Sequence, residues 1–224
     1  MKSLWKRGLL ILGGVILMTA AACTKEPIPD NRTKEQYELE QEFQPLFDFL
    51  AEEKKDFSNV RKYESTIIET DRKTSEDKKY SVGFDKLSNS RDGTYTITED
   101  GEGTEYPVSI TESSELSYSD SVPTEYNEEF FNLHLKKSFF EKLPISDYTA
   151  EHPETFIKSI RYDVNKQNQF EKIKENYHFS EISKTSLRLK QHYDSDNNLI
   201  YTLTLVIHDD KQSFEMTNRI SFKD

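Results

Sequence analysis

The spacing of apolar residues changes character twice along this chain. Between Thr33 and Asp56, Phe43, Leu46, Phe47 and Leu50 fall at i, i+3, i+4 and i+7, which predicts a helix with one buried face. Thr33 and Gln36 stand at capping-box spacing at its start. Pro45 interrupts the pattern and must either kink the helix or open a second one from its first turn. After that the period falls to two. Tyr63 with Ile67-Ile68, then Tyr80, Val82 and Phe84, then Tyr95 and Ile97, then Tyr106, Val108 and Ile110, then Leu116 and Tyr118 read as successive strands. Turn residues separate most of these runs, Asp92-Gly93 among them, as in an antiparallel meander with one wet face of serine, threonine and charge.

The pattern then repeats. Residues 123–142 predict a second long helix, with Tyr126, Phe130, Leu133 and Phe140 in one stripe and Phe131, Leu135 and Phe139 beside it. Acids near its start and lysines near its end suit the helix dipole. Phe156, Ile160, Tyr162 and Val164 suggest a strand, and Phe170, Ile173 and Tyr177 a short helix. Three alternating strands close the chain, around Leu187–Tyr193, Leu199–Ile207 and Phe214–Phe222, joined by hairpins at 194–198 and 208–211. Leu203 and Leu205 are expected in the core. The expected fold class is α+β: antiparallel β-meanders packed with two long helices, in two similar helix-plus-sheet halves, 33–122 and 123–224, forming one domain or two.

The first 22 residues follow a different logic. Lys2, Lys6 and Arg7 precede an uncharged run from Gly8 to Ala22, the layout of a secretory signal. The run is about 15 residues, short of the roughly 20 that a spanning helix needs. It ends in "TAAAC", whose Cys23 is the only cysteine in the chain. This stretch resembles the lipobox of bacterial lipoproteins, with Ala20 where a branched aliphatic is usual. The resemblance implies cleavage before Cys23, diacylglyceryl and palmitate-type acylation of Cys23, and a lipid anchor on the extracytoplasmic face of the cell membrane. The same alanines also fit the A-x-A site of ordinary signal peptidase, which would release a soluble protein. Residues 23–32, with two prolines, read as a tether. With a single thiol, no intramolecular disulfide can form.

Charge narrows the partners. Removing the three basic residues of 1–22 takes the formal net charge from −11 to −14. A chain this acidic is not expected to bind nucleic acid, and anionic lipid would repel it, so membrane attachment should come from acyl chains on Cys23. A basic protein partner is the expectation.

Candidate chemistry is sparse. His134, His152, His178, His192 and His208 have no neighbouring histidine at ligand spacing, so no metal site is expected. The acidic stretches 99–105 and 194–198 could offer oxygens to calcium, but lack the ladder and glycine pattern and read as hairpin loops. There is no nucleophile elbow and no phosphate-cradling glycine loop. No catalytic residue, no cofactor and no enzyme activity are expected.

The helix-then-meander order, repeated behind a lipobox, with "YPVSITESSE" and "SIRYDVNKQNQFEKIKENY" in its two parts, resembles the tandem-type surface lipoproteins of staphylococci and related Gram-positive bacteria. The resemblance brings no functional residue with it. The function expected is that of an anchored interaction module, with a protective, immunity-like role as one version. The alternatives are an envelope accessory protein or small-ligand binder and, last, an enzyme with an unrecognised site.

Overall fold

The computed structural model describes residues 27–223, apart from 88, 120, 151–155, 166, 168 and 169. The basic start, the apolar run and Cys23 lie outside the described residues, as does His152. None of the helices described is long and apolar enough to cross a membrane.

The expected first helix is two. Helix α1 is Lys34–Gln41 and α2 is Gln44–Ala51. Thr33 Oγ1 accepts from Gln36 N while Gln36 Oε1 accepts from Thr33 N, completing the capping box. The break falls at Glu42-Phe43 because Pro45 has no N–H to continue the ladder but is tolerated in a first turn. Phe43, Leu46, Phe47 and Leu50 are all buried. Helix α2 stops at Ala51, short of Asp56, and Lys55 closes its end. The Lys55 ammonium is buried and donates to the carbonyls of Phe49, Leu50 and Glu52 at 3.0, 3.1 and 2.9 Å. These are carbonyls that a helix end leaves without partners. Burial pulls the Lys55 pKa down to about 8, against the pull of Glu52.

Ten strands follow: β1 Val60–Asp71, β2 Glu76–Phe84, β3 Asp92–Glu99, β4 Glu102–Ile110, β5 Leu116–Tyr118, β6 Ile145–Thr149, β7 Lys158–Asp163, β8 Lys184–Tyr193, β9 Leu199–His208 and β10 Gln212–Phe222. They form one sheet in the order β5-β4-β3-β2-β1-β10-β9-β8-β7-β6, antiparallel throughout. Two five-stranded meanders are thus joined along their first and last strands, from Val60↔Phe222 to Asp71↔Gln212. The boundary expected at 122/123 does not interrupt this sheet.

The fold is sheet-dominated, which corrects the expectation of two long helices packed with meanders. Within 123–142 only Glu128–Phe131 (α3) and Lys137–Phe140 (α4) are helical. The segment has to cross from the β5 edge to the β6 edge. Nine strand spacings of about 4.8 Å make roughly 43 Å, whereas a 20-residue helix covers about 30 Å. Breaking the helix lengthens the path and lets its aromatics reach different strands. Phe131 packs on Tyr63 of β1 (ring centroids 5.1 Å), and Phe140 on Tyr162 of β7 (5.6 Å). Between the two turns, Leu135 N donates to Leu50 O at 2.9 Å. His134 therefore sits between α3 and α4 and not in a helix. One further helix, α5, is Glu171–Asn176.

Other local readings shift. Strand β6 carries no clear alternation and was not anticipated. Phe156, expected in a strand, precedes β7 with φ 50° and is 61 % exposed. Asp92-Gly93 is not a turn but the start of β3. A Cβ at Gly93 would lie 2.4 Å from the Phe84 ring, so this glycine is required by close packing.

The helices and the crossing segment cover one face of the sheet, the inner face. Leu187, Leu189, Leu203, Leu205 and Ile207 point into it and are fully buried. Two polar clusters are buried with them. Arg32 Nε pairs with Glu40 at 2.9 Å, Tyr162 OH donates to Glu40 at 2.7 Å, and Arg32 Nη2 donates to Phe140 O at 2.8 Å. The end of the expected tether is therefore packed into the fold. At the seam between the meanders, Ser65 of β1 bonds both Tyr126 and Asn218 of β10.

Candidate functional site: an open cleft at the end of the inner face

The inner face is not covered to its end. Strand register defines the uncovered part. One transverse row runs Phe214–Glu69–Lys78–Glu99–Glu102 across β10, β1, β2, β3 and β4. The row below it, toward the core, is Met216–Ile67–Tyr80–Ile97–Thr104. The first row is charged where the strands run beyond their covering layer. In the second, Tyr80 and Ile97 remain half-buried and form an apolar floor.

Two cavities open at this end of the sheet, and of the second row only Ile97 and Thr104 line one of them. One, of about 520 Å³, lies among Glu69, Lys78, Tyr177, Phe179 and Gln212. The other, of about 590 Å³, lies among Ile97, Glu99, Glu102, Tyr106 and Thr124. The Lys78–Glu99 ion pair, at 3.1 Å, stands where they meet. Across the lining of both, six carboxylates (Glu69, Asp71, Glu76, Glu99, Asp100, Glu102) face three lysines (Lys73, Lys78, Lys211). The cleft is acidic like the chain as a whole.

Each wall has a local cause. Helix α5 ends in a Schellman arrangement, with His178 N bonded to Glu175 O at 3.1 Å and Phe179 N to Lys174 O at 2.8 Å. His178 takes the left-handed position, φ 57°, where glycine is usual. This turn lays Tyr177 against Phe214, ring centroids 4.7 Å apart, and Gln212 Nε2 holds the Tyr177 carbonyl at 2.7 Å. On the other side, Tyr95 OH donates to Thr124 O at 2.7 Å and fixes the start of the crossing segment. The rim between β3 and β4 is a tight turn at Asp100-Gly101, with φ 52° and 82°.

The electrostatics follow from half-burial. Burial raises the Glu69 pKa above the usual carboxylate range, and Lys78 only partly opposes it. Burial, then the Glu69 charge, pushes Tyr177 up to about 12. Tyr80 is raised by burial and next by Glu69. A partly dehydrated carboxylate that shares a cavity with a tyrosine ring suits a guanidinium or ammonium group, which gains both the charge and the ring face.

Of the residues singled out by sequence, the 99–105 stretch forms the cleft rim through Glu99, Asp100 and Glu102, and His178 forms part of its wall. The 194–198 stretch is a hairpin loop whose Asp194 carboxylate accepts from Asp196 N, Asn198 N and Asn198 Nδ2 at 2.9, 2.8 and 3.0 Å. His192 lies near the end of β8 remote from the cleft, whereas His208 ends β9 opposite Ser213 of the cleft lining. Among the described residues no group of three or more His, Cys, Asp or Glu is placed to hold a metal ion. Glu69, Tyr80 and Tyr177 were missed as a group because they come from two strands and a helix end. The one available signal was Glu69 on the inward phase of β1, two residues beyond buried Ile67. Comparison of the sequence with models of protein families and with curated proteins finds no match.

Proposed function

We propose that this chain is a lipid-anchored extracytoplasmic protein, tethered through acylated Cys23, that binds a basic protein partner in the cleft around Glu69, Tyr80 and Tyr177. The observation that carries the reading is the excess of carboxylates over lysines across the two cavities, six to three, with half-buried Tyr177 and Tyr106 in their walls. The net charge of −14 left by removal of residues 1–22 would speed encounter with a basic partner before the cleft engages it. An immunity-like role, neutralising a basic secreted protein at the membrane, is the specific version of this reading. A second reading is an envelope accessory protein taking a small ligand in the 520 Å³ cavity beside Tyr177, whose lining balances three carboxylates with three lysines.

The test is capture of partners by the purified full chain from envelope and secreted fractions at low and high salt. A retained basic protein should be lost as salt shortens the screening length toward about 8 Å and below. It should also be lost from Glu69→Gln/Glu99→Gln protein. Retention of nothing, together with turnover of an envelope substrate, would overturn the proposal in favour of an enzyme. The anchor is tested separately. Acyl labelling should be present in the wild type and absent from Cys23→Ala, and an unlabelled wild type free in the medium would refute it.

A further inference from the structure

The sheet has two edges, and they are guarded differently. At the β6 edge a bulge between Ile145 and Asp147 breaks the register with β7, and Tyr148 OH donates to Glu35 of α1 at 2.9 Å. Bulges of this kind discourage a further strand from pairing. At the other edge β5 is only three residues long and covers β4 from Val108 to Ile110. Ser119 N then donates to Pro107 O at 3.3 Å, the last contact of this pairing. Toward the Asp100-Gly101 turn, residues 102–106 of β4 pair with β3 on one side and, among the described residues, with no strand on the other. Their register with β3 runs unbroken from Glu99↔Glu102 to Asp92↔Ser109 and carries no bulge. Glu102, Gly103, Thr104 and Glu105 are exposed.

Hairpin geometry says which backbone groups of this stretch are free. A two-residue turn makes Glu99 and Glu102 a hydrogen-bonded pair, and bonded pairs alternate along an antiparallel ladder. Glu102, Thr104 and Tyr106 therefore bond to β3, while Gly103 and Glu105 direct their N–H and C=O groups outward. Two bonds further along the same strand keep this phase. Pro107 O accepts from the β5 side, and Ile110 N donates to Arg91 O on the β3 side. Pro107 falls on the outward phase, where its missing N–H costs no bond to β3. Beside this edge, on the inner face, lies the 590 Å³ cavity lined by Ile97, Thr104 and Tyr106 and by the carboxylates of Glu99, Asp100 and Glu102. Glu99 is paired with Lys78, but Asp100, Glu102 and Glu105 have no ion pair among the described residues.

We infer that the free edge of β4 takes an extended lysine- or arginine-rich segment of the basic partner, added to the sheet as a further strand. The inference rests on the acidic-cleft reading above and names the form in which the partner enters. The segment's backbone bonds to the outward groups of Gly103 and Glu105. Its side chains alternate between two acidic surroundings. Those on the inner face stand beside Glu102 and Thr104, where a long basic side chain lays its stem toward Tyr106 and its charge near Asp100 and Glu102. Those on the outer face meet Glu105 as a cross-strand pair. A second copy of the chain is a poor occupant, because it would bring its own Asp100, Glu102 and Glu105 against these. The same repulsion keeps an edge without bulge or lysine from pairing with itself.

The experiment is an NMR titration of the isotope-labelled full chain with a blocked oligolysine peptide of about ten residues, long enough to span the edge. The same peptide N-methylated at every residue keeps the charge and lacks the backbone donors. Saturable binding of oligolysine that slows hydrogen exchange of the Gly103 and Glu105 amides about tenfold is expected, with no such protection from the methylated peptide. Glu105→Gln, which keeps the N–H, should weaken binding about threefold. Glu105→Pro, which removes the N–H as well, should weaken it about thirtyfold. That N–H points away from β3, so the proline variant keeps its ladder and should fold. Salt-sensitive binding that leaves the two amides unchanged, or that the methylated peptide or Glu105→Pro reproduces, overturns the added strand and leaves the acidic cleft its reading. Protection of both amides by oligolysine supports the edge even where capture of a partner fails, so the two readings fail separately. Protection that appears with protein concentration alone assigns the edge to a second copy and overturns the inference, as does no saturable binding of oligolysine.

Discussion

The two meanders use the same alternation of strand residues to opposite ends. In the C-terminal one, β8 and β9 fill their inner positions with Leu187, Leu189, Leu203, Leu205 and Ile207, all fully buried. Its charges lie outside, and many are basic: Lys184, Arg188, Lys190 and Arg219. In the N-terminal meander the inner positions turn polar along their length. β1 runs Tyr63, Ser65, Ile67, Glu69, and β2 runs Phe84, Val82, Tyr80, Lys78. The first meander therefore exposes part of the face the second seals. A period of two says which residues share a face. It does not say how far along the strand that face stays covered, because that is set by where α5 and the crossing segment stop.

Matched substitutions should break this contrast most visibly. Leu203→Asp places an unpaired charge in the sealed face and should cost about 4 kcal/mol of unfolding free energy. Ile97→Asp, at the corresponding depth of the open face, should cost only about 1–2 kcal/mol. Urea unfolding of both proteins checks this, and equal losses would mean that the two faces are equally covered. Next is the buried ion pair between Arg32, just before α1, and Glu40 within it, to which Tyr162 of β7 also donates. Arg32→Met leaves Glu40 buried and unpaired, at about 3–5 kcal/mol, and Arg32→Met/Glu40→Met should recover most of it. Failure of the double variant to recover would show that the pair is more than compensated charge.

Two smaller effects sharpen the picture of the cleft. His178→Gly relieves the left-handed strain at the α5 end and should stabilise the protein by about 0.5 kcal/mol, read as a rise in urea midpoint. Glu69→Gln tests the half-buried carboxylate. Its folded pKa is raised, so the native state binds the proton more tightly than the unfolded chain. Wild-type stability should therefore fall as pH rises from the ordinary glutamate range through the raised value, and the variant should lack that fall. Solvent screening limits the difference to the order of a few tenths of a kcal/mol. Thermal midpoints of both proteins between pH 4 and 7 would show it, and parallel curves would contradict the burial of Glu69.

Much of the strand pattern was legible in the residues. The alternating runs of β1 to β5 and β8 to β10 lie where the period-two residues stand, and the capping box at Thr33 and Gln36 is formed. The 123–142 stretch shows the limit. Its aromatics fall at helical spacing, yet most of it is not helical, since it must bridge a sheet whose width no local pattern encodes. Glu69 and Tyr177 are 108 positions apart and meet only because β1 and the end of α5 close on the same sheet end.

Periodicity by itself determined most of the strands and their inward residues, because those depend on neighbours a few positions away, but it missed β6 and placed a turn at Asp92-Gly93 where β3 begins. The composition likewise determined the acidic balance of −11. Only the tertiary structure decided that β1 pairs with β10, that the acid and tyrosine positions of one meander stay open, and that β5 leaves part of β4 uncovered beside an acidic cavity. The reason is physical. Pairing between strands some 150 residues apart is selected by the burial of the whole inner face at once, and no local segment carries that sum.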